Sequence, residues 1–169
     1  NSPRPAAILA AHLAAMGIAR ECYDHLVSSG EATIRALRRR DRVWLRRLGR
    51  RYFVIGPPDT AALLQGLAYT RVAAPAAADF VLVTGTTPGA VVAAYEADLR
   101  ACLARGLPMI CANPDRHVLV GARRVICAGA IAELPRRLAA VGITRPLVVT
   151  DPGLLPTDAF RRLEAVLGP

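Results

Sequence analysis

The sequence predicts an α/β protein, a Rossmann-like sheet with helices on its faces. Three observations carry that expectation. Short β-branched runs alternate with Ala/Leu/Arg-rich segments along the whole chain. The run 79–84 (DFVLVT) is a continuous β-branched and aromatic run, apolar from Phe80 to Val83, as in a strand covered on both faces. Turn residues, Gly56-Pro57-Pro58 and Asn113-Pro114-Asp115, stand where such runs stop. At 169 residues, 53% hydrophobic and 21% charged, the chain has about one domain's worth of core, which argues against disorder driven by low hydrophobicity.

The elements follow in order. Leu9, Leu13 and Met16 fall at i, i+4 and i+7, so 5–16 is expected to be a helix with one buried face rather than the secretory signal that Arg4 and the apolar run 6–15 imitate. Ser29 and 31–33 open a second amphipathic helix with Ile34, Leu37, Trp44, Leu45 and Leu48 on one side and arginines on the other. A strand over 52–55 is stopped by Gly56-Pro57-Pro58, and Asp59 is placed to cap a short helix over 60–67. After the strand 79–84 come a turn at 85–88 and the longest helix, 89–105, closed by Gly106. A strand over 108–112 leads to a hairpin, 117–120 with 123–127, around Gly121-Ala122. A helix over 130–141 is expected to begin near Glu133, because Pro135 fits only a first turn. A strand at 147–150 and a helix at 157–167 complete the pattern.

All 22 basic residues are Arg against 13 acids, a formal charge of +9, and the absence of Lys excludes any lysine-dependent step from this chain. Arginines over 38–51 could hold phosphates with Trp44 stacking on a base. At helical spacing, however, Trp44 falls with the apolar residues, which leaves the arginines as a solvated face and makes nucleic acid not the expected partner. The all-Arg usage is attributed to GC-rich coding. Cys22, Cys102, Cys111 and Cys127 are never two or three residues apart and the histidines are scattered, so no zinc pattern is present, and reduced thiols in a cytoplasmic protein are expected. No apolar stretch reaches the roughly 20 residues of a membrane span. The chain opens at Asn1 without an initiator and reads as a processed product or a fragment. Ligands of open α/β sheets sit at the carboxyl ends of strands, which singles out the loops 84–87, 113–115 and 150–153.

Asn1-Ser2-Pro3-Arg4-Pro5, Tyr23-Asp24, Ser28-Ser29-Gly30-Glu31-Ala32-Thr33, Tyr52 with Ile55-Gly56-Pro57, Asp79-Phe80-Val81-Leu82 with Thr84-Gly85, Gly106-Leu107-Pro108-Met109, Cys111-Ala112-Asn113-Pro114-Asp115 and Cys127-Ala128-Gly129-Ala130 resemble, in order, the haloacid dehalogenase-like hydrolases of class IIA. The resemblance implies a phosphatase-type enzyme in which an Asp nucleophile on a Rossmann-like core attacks a small phosphorylated substrate with Mg²⁺, under an α/β cap. It implies a core remnant at 1–25 and the cap at 26–130. It places Asn1 and Ser2 near the phosphate and Asn113 and Asp115 facing the substrate from the cap. The nucleophilic Asp, the family's Lys and its Mg²⁺-binding acidic pair have no counterpart here, so this chain is expected to be inactive alone, with no catalytic residue and no cofactor of its own. Pairing of copies through the cap stays open.

The ending departs from that family. Arg124-Val125-Ile126, the run 128–135 (AGAIAELP), Gly142-Ile143 and the run 145–154 (RPLVVTDPGL) resemble the start of an iron-containing alcohol dehydrogenase. That implies a βα unit over 131–169 with Asp151 near the adenosine ribose of NAD, while the pyrophosphate loop and the iron ligands of that family are absent. The alternatives are therefore an NAD-binding fragment derived from such a dehydrogenase, or a basic module for nucleic acid or an acidic partner.

Overall fold

The computed structural model describes residues 2–60 and 63–139. Its centre is a four-stranded sheet of β1 (Arg51–Ile55), β2 (Thr70–Arg71), β3 (Phe80–Val83) and β4 (Met109–Cys111), in the order β2-β1-β3-β4 with every pairing parallel. Tyr52 pairs with Phe80 and Val81 with Met109, so β3 is bonded on both edges. All four of its side chains are buried, as a continuous apolar run demands. Each such side chain contributes about 1.5–3 kcal/mol through burial.

Alternation along the strands sends side chains to two cores. Tyr52, Phe80, Leu82 and Ile110 face Ile34, Leu37, Leu45 and Leu48, which come from α2 (Ser29–Arg39), from α3 (Val43–Arg47) and from the residue that follows it. Phe53, Ile55, Val81, Val83 and Cys111 face Leu99, Cys102 and Ile131 of α4 (Glu96–Ala104) and α5 (Ala128–Ala139). The predicted α/β class is thus the observed one, a parallel sheet flanked by helices. A separate antiparallel hairpin, β5 (His117–Val120) with β6 (Arg123–Ile126), turns at Gly121-Ala122 as expected.

Several expectations are corrected. The first helix, α1 (Ala6–Ala15), forms where expected but buries no residue, and Met16 is 67% exposed. It lies against neither core, and its attachment is at its start. There the Ser28 hydroxyl accepts from the Glu31 N–H (3.0 Å), and the Glu31 carboxylate reaches back to the Ala6 N–H (3.3 Å). It is half of a capping box, with the acid turned to the first N–H of the preceding helix, α1. The segment 2–4 lies across the start of α2, with the Ser2 carbonyl accepting from the Gly30 N–H (3.0 Å). A Cβ at Gly30 would stand 2.1 Å from the Pro3 carbonyl oxygen, so only glycine admits this approach.

The single helix expected beyond Ser29 is two. Arg40 adopts a left-handed conformation (φ 49°) and ends α2. Its guanidinium bonds the Tyr69 hydroxyl (2.9 Å) and the carbonyls of Arg46 (2.9 Å) and Leu48, fixing α3 at an angle that keeps Leu45 buried but leaves Trp44 37% exposed. The helix expected at 60–67 is a 3₁₀ turn, Pro58–Thr60, followed by turns at 63–66. Asp59 pairs with Arg4 (2.6 Å). The expected long helix at 89–105 is a 3₁₀ turn, Val92–Tyr95, and the nine residues of α4, closed by Gly106 with the two carbonyl bonds of a Schellman end. The longest helix among the described residues is α5, which begins at Ala128 rather than near Glu133 and holds Pro135 in its interior. The strand and helix expected at 147–150 and 157–167 lie outside the described residues.

Candidate functional site at the carboxyl edge of the sheet

Because β1, β3 and β4 are parallel, the loops that follow them meet at one edge. The chain leaves β1 toward β2 on one side and β3 toward β4 on the other. The carboxyl ends of β1 and β3 are therefore the point where connections diverge, the usual ligand crevice of such sheets. Here that crevice is closed by its own side chains. The hydroxyls of Thr60 and Thr84, both buried, share a 2.7 Å hydrogen bond. Gly56 lies so close that a Cβ there would stand 1.9 Å from the Thr84 hydroxyl. Beyond it, the Thr86 hydroxyl donates to the Ile126 carbonyl (2.7 Å) and the Thr87 N–H to the Tyr95 hydroxyl (2.7 Å). These bonds fix the loop after β3 against the hairpin and the start of α4.

The loop after β4 is the more open side. Asn113 is buried, and its Oδ1 accepts from the Asp115 N–H (3.1 Å), an Asx turn that presents the Asp115 carboxylate at the surface. The Asp115 carbonyl accepts from the Gly129 N–H (3.0 Å), which ties the loop to the start of α5. The Cys111 thiol donates to the Asn113 carbonyl (3.1 Å), and burial pushes its pKa up to about 11. Burial first, and then the Asp115 charge, also raises the Cys127 thiol. Both therefore stay protonated at neutral pH and are poor nucleophiles. Among the described residues no group of three or more His, Cys, Asp or Glu could hold a metal ion.

Of the five residues singled out in the sequence, Asn113 and Asp115 come together at this edge. Ser2 sits at the start of α2, with its hydroxyl accepting from the Arg4 N–H (3.2 Å) and its carbonyl taken by Gly30 and by the Ser29 hydroxyl (2.8 Å). The Arg4–Asp59 ion pair connects that segment to the loop after β1, two strands from β4 and so about 10 Å across the sheet. Asn1 and Asp151 lie outside the described residues. Thr84 lies in the loop 84–87 singled out from the sequence, whereas Thr60 and Tyr95 were not singled out. Among the described residues this edge presents one exposed carboxylate, Asp115, and no activated nucleophile.

No protein-family model matches the chain, and no curated protein matches it. Solved structures do. A haloacid dehalogenase-like hydrolase from Brucella suis superposes with a TM-score of 0.73 at 30% identity, covering 98% of this chain and 57% of its own. A p-nitrophenyl phosphatase from Archaeoglobus fulgidus gives 0.63 at 21% identity, over 99% of this chain and 58% of its own. A glycerol phosphate phosphatase from Mycobacterium tuberculosis, in complex with magnesium, gives 0.65 at 20%, over 97% and 47%. The fold is that of the haloacid dehalogenase-like phosphatases. The chain spans 46–61% of the length of the solved proteins it resembles. No helix among the described residues is long and apolar enough to cross a membrane.

Proposed function

We propose that this chain is the cap-bearing part of a class IIA haloacid dehalogenase-like hydrolase acting on small phosphate esters, with 1–25 belonging to the core and 26–130 to the cap. The observation that carries this reading is the superposition of 98% of the chain on the Brucella suis hydrolase, together with the collinear motifs from Asn1 to Ala130. On this reading Asn113 and Asp115 contact the substrate from the cap, and Asn1 and Ser2 lie beside its phosphate. Magnesium belongs to the complete hydrolase: the described residues do not form a site for it, and no catalytic step is assigned to them. From the motifs after residue 124 alone we further propose a dehydrogenase-like βα unit over 131–169, with Asp151 as its ribose-binding acid.

A chimera tests the cap role. Residues 26–130 of this chain replace the matching segment of the Brucella suis hydrolase, and kinetics are followed with p-nitrophenyl phosphate. Turnover is expected to survive, with Asn113→Ala and Asp115→Ala each raising KM by several-fold while kcat changes less. A folded chimera whose KM ignores both substitutions sinks the assignment.

A further inference from the structure

Between Arg35 and Arg51 the sequence carries nine arginines and one aspartate, a net +8 of the chain's +9. A bias in coding would spread arginines evenly, yet everything outside this stretch sums to +1. Of the nine, Arg35, Arg39 and Arg51 pair with Glu31, Asp41 and Asp79, and Arg40 is used to hold α3. Arg38, Arg42, Arg46, Arg47 and Arg50 are exposed, and among the described residues none has a carboxylate partner. The premise that made these arginines a mere solvated face was a buried Trp44. That premise holds only in part: Leu45 and Leu48 take the inward positions of α3, and Trp44 keeps 37% of its surface exposed, one helical turn from Arg47. Arg40 pins this short helix by bonding two of its carbonyl-side groups, so the ring is presented on a fixed support.

We propose that the α3 surface, Trp44 with Arg42, Arg46 and Arg47, is a binding site for single-stranded nucleic acid. The arginines take the backbone phosphates and the indole stacks on a base. A fixed aromatic ring beside guanidinium groups is the combination by which single strands are held without sequence readout. A duplex fits less well, since five residues of helix are too short to lie along a groove. An anionic membrane fits less well too, because Val43 and Trp44 alone offer little apolar surface to insert. The inference is independent of the hydrolase reading and stands or falls without it.

Trp44 is the only tryptophan, so its emission reports the site directly. The whole chain is titrated with (dT)12 in 50 mM NaCl. Saturable quenching with a micromolar dissociation constant is expected. Three phosphate contacts at about 0.7 each in the salt exponent weaken binding about a hundredfold for a tenfold rise in salt. The R42Q/R46Q/R47Q variant should bind at least tenfold more weakly. Trp44→Ala, followed by anisotropy of labelled (dT)12, should lose about fivefold or more while heparin binding is unchanged; Trp44→Phe, which keeps a ring, should recover part of the loss. The proposal is overturned by the absence of quenching with (dT)12 and by wild-type binding of the triple variant. Heparin quenching as tightly and as deeply as (dT)12, or a blue shift on phosphatidylserine vesicles alone, would equally overturn it.

Discussion

Asp79 shows how much a single surface carboxylate organises here. It stands just before β3, and its Oδ2 accepts from the backbone N–H groups of Arg50 (3.0 Å) and Arg51 (2.8 Å) at the start of β1. The Arg51 guanidinium bonds the other oxygen at 2.7 Å. The Arg51 side-chain bond, followed by its backbone N–H, holds the Asp79 carboxyl down at about 2. A carboxylate depressed in the folded state stabilises it above the ordinary value of roughly 4, and that contribution disappears as pH falls from about 4 to about 2. Asp79→Asn is therefore expected to lower the urea midpoint at pH 5 and to flatten the fall in stability between pH 4 and 2. An acid profile identical to that of the unsubstituted protein would show that some other group governs this range.

At the scale of elements, cohesion is uneven. β3 is bonded on both edges and wholly buried, whereas α1 buries nothing and is held through Glu31 and the segment before it. Hydrogen exchange should find the amides of β1, β3 and α4 slowest and those of α1 among the first to exchange, as elements with few tertiary contacts do. Protection of α1 equal to that of β3 would mean that its open face is covered in solution. The strands were the legible part of the sequence: the runs at 52–55, 79–84, 108–112 and 117–127 mark β1, β3, β4 and the hairpin within a residue or two, because β-branched runs ended by Gly, Pro or Asn have few other uses. The break at Arg40 was hidden. Ile34, Leu37, Leu45 and Leu48 keep a helical spacing across it, and an arginine in the left-handed region leaves no compositional trace. At the edge, the turn residues revealed the loops 84–87 and 113–115. The Thr60–Thr84 and Thr87–Tyr95 bonds depend on which strands become neighbours, and a local pattern does not contain that information.

At the scale of the whole molecule, catalysis depends on which parts of a phosphoryl-transfer site the described residues supply. In-line phosphoryl transfer needs a placed nucleophile and cationic or metal groups to take up charge. The chain has no lysine, the described residues gather no metal-binding group, and burial holds Cys102 and Cys111 near pKa 11. The pure chain is expected to show no Mg²⁺-dependent hydrolysis of p-nitrophenyl phosphate above the buffer rate. Turnover that EDTA abolishes would prove that its own residues complete a catalytic site.

The all-parallel order of the sheet also dictates how the chain must assemble. Arg51 meets Thr70, Tyr52 meets Phe80 and Val81 meets Met109, so each rung of the central ladder closes a long loop before it gains a bond. Among the described strands, only β5 and β6 pair across a tight turn. Helices and the hairpin can form early from local contacts, while the sheet waits for non-local encounters, which slows the final step. Until β1 and β4 arrive on either side of it, the Phe80–Val83 run is an uncovered apolar strand with two open edges. In a crowded refolding mixture it is the segment through which one unfinished chain would capture another.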